Sequence, residues 1–142
     1  MLRKEIMKIK CMNDLLKNLK KYKFYYYEWK MINDRIQSIQ SPKFSDLPKS
    51  IKYADKSKKL NHDIERKKEL ENKMLVIEEL IDILKDSDNP LFYSVIYYRF
   101  IEFQDMREIA KIYFYDERQM YRIYDDAINE LFKMSVNVSK CQ

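Results

Sequence analysis

MREIAKIYFYDERQMYRIYDDAINEL, running from Met106 to Leu131, reads as two short amphipathic helices joined by a tight turn. Met106, Ile109, Ala110 and Tyr113 recur at helical spacing and mark one face of the first helix. Ala110 is small at the point where two helices must cross closely. Tyr113, Phe114 and Tyr115 form the expected turn, and Asp116 can offer its carboxylate to the free N–H groups that open the second helix. There Met120, Ile123, Ala127 and Leu131 make the inward stripe, with Tyr124 at its margin, while Glu117, Arg118, Gln119, Tyr121 and Arg122 face outward. This is the layout of a helix-turn-helix, in which one helix braces and the next lies in the major groove of DNA. The first turns of such a helix meet base edges, where Arg suits guanine and Gln suits adenine through paired hydrogen bonds. Arg118, Gln119 and Arg122 are therefore the base-contact candidates, and Tyr121 is placed for a thymine methyl or a phosphate. Arg107 and Lys111, on the bracing helix, are placed for phosphates, which fix register without reading sequence.

Working backward, Asp105 can cap the bracing helix. The preceding segment LFYSVIYYRFIEF, from Leu91 to Phe103, is apolar almost all round, through Leu91, Phe92, Val95, Ile96, Phe100 and Ile101. A helix of that kind is buried on several sides and is expected to be the core of a small three-helix C-terminal domain. DSDNP, from Asp86 to Pro90, separates it from what comes before, with Asn89 as its N-cap and Pro90 at the first helical position.

The N-terminal part predicts two long helices. The first covers roughly Lys4 to Ser38 and carries Leu15, Leu19, Tyr22, Tyr26, Trp29 and Ile36 at steps of three and four, with Asn33 filling the remaining seam position. The second runs from about Asp55 to Lys85 with Leu60, Ile64, Leu70, Met74, Ile77, Ile81 and Leu84 in its stripe. Between them SPKFSDLPKS, Ser41 to Ser50, holds Pro42 and Pro48 and cannot continue a helix. The expected fold is thus all-α: a long antiparallel, coiled-coil-like hairpin over 1–86, followed by the helix-turn-helix domain over 87–142. The hairpin either packs only on itself or serves as an arm for oligomerisation or partner docking, with Leu15, Leu19, Tyr22, Tyr26 and Trp29 as the candidate homodimer contacts.

Composition narrows the function. The chain of 142 residues contains no glycine. Gly-rich phosphate loops, dinucleotide fingerprints and nucleophile elbows all need backbone positions that only Gly tolerates, so none of them is present. Cys11 and Cys141 sit near opposite ends without neighbouring metal ligands, and His62 stands in a polar stretch, so neither a metal site, a cofactor nor an enzyme is expected. The acidic pairs Glu78/Glu79 and Asp125/Asp126 are adjacent in sequence and point apart on a helix. No apolar run is long enough to span a membrane and the basic start lacks a cleavage site, which predicts a cytoplasmic protein. Net charge is +5, but it is uneven: Met1 to Asp86 holds 21 Lys and Arg against 14 Asp and Glu, whereas Ser87 to Gln142 holds 7 against 9. Affinity for nucleic acid comes mainly from neutralised phosphates, so the acidic C-terminal part is expected to bind weakly by itself. The phosphate track then falls to Lys20, Lys21 and Lys23, with Lys56, Lys58, Lys59, Lys67 and Lys68, or to a second subunit.

Arg99 to Leu131, with Glu108-Ile109-Ala110, a cap and a stripe ending in Ala127 and Leu131, resembles the region-4 helix-turn-helix of bacterial sigma factors. The chain more broadly resembles the small phage regulators of the ArpU/RinA type. The likeness covers the aromatic first helix, the Ser41-Pro42 to Pro48 connector, the second long helix, Met120-Tyr121-Arg122-Ile123-Tyr124 and the ending Lys133 to Val138. The resemblance implies a phage or prophage regulator of late transcription in a bacterial host cell, with double-stranded DNA and RNA polymerase as its expected partners. Sigma-like modules usually carry Gly where this chain has Phe114, and a bulky left-handed residue is costly, which predicts a different path for the turn. Asp116 stands where a Ser cap is commoner, and Glu117 adds a second carboxylate near the expected phosphates.

Two other functions fit the same residues. One is a phage adaptor or inhibitor that imitates a sigma region and acts by protein–protein contact, without DNA. The other is a small terminase subunit, which also joins a helix-turn-helix to a helical oligomerisation segment.

Overall fold

The computed structural model describes residues 9–40 and 53–140, with side chains described for 9–38 and 57–136. Every regular element among them is helical: α1 (Met12–Gln40), α2 (Tyr53–Asp82), a 3-10 turn (Ile83–Asp86), α3 (Pro90–Phe100), α4 (Met106–Tyr113) and α5 (Glu117–Lys140). The protein is all-α, as composition and periodicity indicate. No described helix is long and apolar enough to cross a membrane.

Element ends depart from expectation at three places. α1 starts at Met12: residues 9–11, expected within the helix, are not helical, Leu15 N–H bonds back to the Cys11 carbonyl, and Lys10 N–H donates to the Asp14 carboxylate; the expected start near Lys4 lies outside the described residues. α3 stops at Phe100, three residues early, because Phe103 takes a left-handed backbone (φ 58°) and Gln104 N–H returns to the Tyr98 carbonyl at 2.9 Å. α5 runs well past Leu131 to Lys140; no glycine or proline follows to stop it, and Ser135 is buried with its hydroxyl donating to the Phe132 carbonyl. The expected connector, Ser41 to Ser50, lies outside the described residues.

Compact packing groups the chain into two units that do not follow chain order. One comprises Phe24–Met74. Ile32, Ile36 and Leu70 form its buried cluster, with Tyr25, Trp29, Leu60 and Ile64 packed around them. Its cross-helix contacts pair rising numbers on α1 with falling numbers on α2: Lys73 over the Tyr25 ring, Trp29 Nε1 donating to Glu71, Arg66 donating to Glu28, Arg35 to Asp63. The hairpin is therefore antiparallel here. Its seam uses Ile32 and not Asn33, which is only half-buried, so the regular three-four step from Trp29 breaks at that point.

The other unit combines Met1–Lys23 with Leu75–Gln142. α3 packs on α5, α4 packs on both, and the 3-10 turn touches α3 and α5. Val95, Met106, Ile109, Ala110 and Met120 make one buried cluster, dressed by Tyr98, Tyr113, Tyr115, Ile123 and Tyr124. Leu15, Leu19, Ile77, Ile81, Leu84, Ile96 and Leu131 are fully buried in the same unit. The end of α2 is tied to α1 by the Tyr22 hydroxyl, which donates to Glu78 at 2.7 Å.

The Glu28–Arg66 pair is the main electrostatic tie of the Phe24–Met74 unit. Arg66 reaches both Glu28 oxygens, at 2.6 and 3.2 Å, and also Glu69 at 3.0 Å. The hydrogen bond from Arg66 holds the Glu28 carboxyl below its ordinary range. The side chains remain 33% and 44% exposed, so solvent screens much of the attraction. A carboxyl whose folded pKa is lowered contributes in full above its unfolded pKa, about 4.3 for Glu, and loses that contribution as acid protonates it in the folded state. Glu28→Gln is expected to cost about 0.5–1 kcal/mol in urea unfolding at pH 7. The gap from the parent protein is expected to close progressively below about pH 4, and a gap that persists at pH 2.5 excludes the ionic contribution.

Candidate nucleic-acid interface

The three predicted caps all form. Asn89 accepts from Leu91 N–H at 3.0 Å with Pro90 at the start of α3. Asp105 accepts from Glu108 N–H at 2.8 Å, and Asp116 from Gln119 N–H at 2.7 Å. Each short polar side chain satisfies a helix N–H that otherwise has no partner. Met106, Ile109 and Ala110 of α4, and Met120, Ala127 and Leu131 of α5, are buried as their spacing implies. Ile123 and Tyr124 are half-buried, and Ile128 joins the buried face. Burial pushes the Tyr124 hydroxyl above its ordinary range.

The turn takes the left-handed path despite lacking glycine. Phe114 has φ 59° and ψ 35°. Tyr115 N–H returns to the Ala110 carbonyl at 3.0 Å and Phe114 N–H to the Lys111 carbonyl at 3.3 Å. This is the hydrogen-bond pattern of a Schellman cap, with phenylalanine where glycine is usual. The expectation that a bulky residue would divert the turn is thus corrected: two carbonyls at the end of α4 gain donors, and the strained residue is the one that points away from everything, 96% exposed.

Arg118, Gln119, Tyr121 and Arg122 are all exposed near the start of α5. Among the described residues, neither arginine has an ion-pair partner. Arg107 and Lys111 are exposed too, but each lies near a carboxylate: Arg107 Nε is 3.9 Å from Glu117, and Lys111 is 3.8 Å from Glu108. Of the two acidic groups that lie closest to the expected phosphates, Asp116 is engaged in capping α5, whereas Glu117 has only the long, exposed contact with Arg107.

On α1, Lys20 and Lys21 are exposed and Lys23 stands over the Phe103 ring at 5.9 Å. In the Phe24–Met74 unit Lys58, Lys59 and Lys68 are exposed, whereas Lys67 sits over Trp29 and 4.0 Å from Glu71; the Lys56 side chain is outside the described residues. The proposed oligomerisation stripe is largely occupied within one chain. Leu15 and Leu19 are fully buried and Tyr22 nearly so, because intrachain packing uses them; Tyr26 and Trp29 stay half-buried. Among the described residues, the large apolar side chains that α1 leaves exposed are instead Phe24, Tyr27 and Met31, at steps of three and four on another face.

His62 and Cys11 are exposed, and among the described residues no three His, Cys, Asp or Glu side chains converge as metal ligands. Compared with protein-family models, curated proteins and solved structures, the chain matches none.

Two phenylalanines share the left-handed backbone but differ in surroundings. Phe114 touches solvent, whereas Phe103 is half-buried with its ring 6.2 Å from that of Tyr22. Asn tolerates this conformation, and relief of the strain at a bulky residue is worth about 1–2 kcal/mol. Phe114→Asn is expected to stabilise the protein by about 1 kcal/mol. Phe103→Asn should give no gain, since it forfeits the aromatic contact. Urea denaturation of the two variants tests both, and loss of stability in Phe114→Asn contradicts the contact-free assignment.

Proposed function

We propose that this protein is a sequence-specific DNA-binding regulator of transcription, of the kind that controls late genes in phages and prophages. The observation that carries this is the cluster of exposed Arg118, Gln119, Tyr121 and Arg122 at the start of a capped helix, behind a brace whose apolar face is buried. Two arginines without intrachain partners keep their full donor capacity for guanine edges. Of their flanking acids, Asp116 is turned back onto its own helix as the cap, which lessens repulsion of the phosphates. Homodimerisation belongs to the same proposal, since two copies double the phosphate contacts and give a two-fold site. Any such contact has to use accessible side chains of α1 rather than Leu15 and Leu19.

A second reading rests on the exposed apolar side chains Ile112, Phe114 and Tyr121 beside the same turn. An adaptor or inhibitor that docks on a host protein, such as RNA polymerase, has use for such a surface. Binding to duplex DNA separates the two.

Selection of bound sites from random duplexes is expected to return a defined motif. Arg118→Ala and Arg122→Ala should each lower affinity for that motif by about tenfold to a hundredfold, following about 1–3 kcal/mol per bidentate contact, while leaving random-sequence binding nearly unchanged. Footprints identical to the parent for both variants refute the assignment.

A further inference from the structure

The unit that holds the helix-turn-helix is built from both ends of the chain, and this alters its charge. Residues 75–140 contain eight Lys and Arg against thirteen Asp and Glu, whereas the described part of the N-terminal segment, residues 9–23, contains five lysines against one aspartate. The basic segment therefore packs in the same unit as the acidic reader. Its point of attachment is specific. The Tyr22 hydroxyl donates to Glu78, the Tyr22 ring meets Phe103, and Lys23 lies over the Phe103 ring.

Phe103 belongs to the turn between α3 and α4; cations from two helices touch that turn, and a third stands two residues beyond it in the chain. Lys23 comes from α1. Arg99, at the end of α3, donates from Nη1 to the Gln104 carbonyl at 3.2 Å. Arg107 stands in the first turn of α4, and its contact with Glu117 reaches the first turn of α5. All three are exposed. Lys23 is exposed, so its ammonium stays open to solvent while the ring limits where the side chain can wander. The Arg107–Glu117 contact is long and exposed, with side chains 72% and 49% accessible, so it yields readily to a stronger acceptor such as a phosphate.

We propose that the turn from Ile101 to Asp105 organises a phosphate-binding edge made of Lys23, Arg99 and Arg107, which grips the backbone of duplex DNA beside the bases met by α5. This rests on the DNA-binding function proposed above. It assigns α1 a direct part in the interface and gives the left-handed Phe103 a task, that of carrying Lys23 to the brace. Phosphate contacts add affinity without sequence preference, and each one releases counterions.

The test is a salt titration of the full chain on duplex DNA of random sequence, followed by fluorescence anisotropy. Lys23→Gln and Arg107→Gln should each flatten the plot of log affinity against log salt by about 0.9 and weaken binding roughly three- to tenfold near 0.1 M salt. Phe103→Leu, checked for native helix content, should reproduce part of the Lys23→Gln effect. Lys85→Gln, a lysine of the same unit that lies over Tyr93 and pairs with Asp82, should leave the slope unchanged. If the parent binds duplex but Lys23→Gln and Arg107→Gln keep its slope, this edge is overturned while base reading by Arg118 and Arg122 stands. Equal slope losses in Lys85→Gln also overturn it, since a diffuse field then explains the effect. If the parent fails to bind duplex at low salt, both this proposal and the DNA-binding function fall.

Discussion

A chain without glycine must reverse direction with residues that carry a Cβ, and the helix-turn-helix depends on how this one does it. Carbonyls at the end of α4 find donors only if the next residue enters the left-handed region. Phe114 does so and meets no intrachain surface. Once it does, Tyr115 drops onto the buried cluster and Asp116 lands at the start of α5 with its carboxylate on Gln119 N–H. The same device recurs at Phe103, where the ring is kept in contact with Tyr22. One unfavourable residue thus ends each helix, and the side chain's surroundings decide what else that residue does.

The placement of carboxylates around α5 follows from this geometry. A helix beginning with Asp and Glu is electrostatically comfortable, because negative charge suits the N-terminal end of the helix dipole. It is poorly suited to phosphate unless those acids are occupied. Asp116 is turned back onto its own helix, and Glu117 faces Arg107. The outward arginines one and five residues beyond Glu117 remain without acidic partners among the described residues.

Much of the fold is legible in the residues themselves, where the physics is local. Asn89, Asp105 and Asp116 reveal helix starts because a short polar side chain before an apolar stripe has one favourable role there. Met106, Ile109 and Ala110, or Met120, Ala127 and Leu131, reveal an inner face by spacing alone. Long-range partners are not legible in this way. Counting by threes and fours from Trp29 to Ile36 places Asn33 in the seam, but Leu70 from the other helix packs against Ile32. The left-handed Phe103 carries no glycine or asparagine to announce it, and its ring partner Tyr22 is distant in sequence. Of the candidate site, exposure of Arg118 to Arg122 could be anticipated from the wheel, whereas the Arg107–Glu117 contact and the seat of Lys23 needed the packed structure.

The unit with the helix-turn-helix is discontinuous, with residues 24–74 inserted between its two pieces. At the point of departure Tyr22 and Glu78 are already joined by a hydrogen bond, so the chain leaves and returns at neighbouring positions. Both feet of that excursion belong to the unit that holds the C-terminal helices. A fragment cut at Ser87 to isolate the C-terminal helices strips away Leu15, Leu19, Ile77, Ile81 and Leu84, all fully buried in the intact unit, and leaves an oily, aggregation-prone remnant.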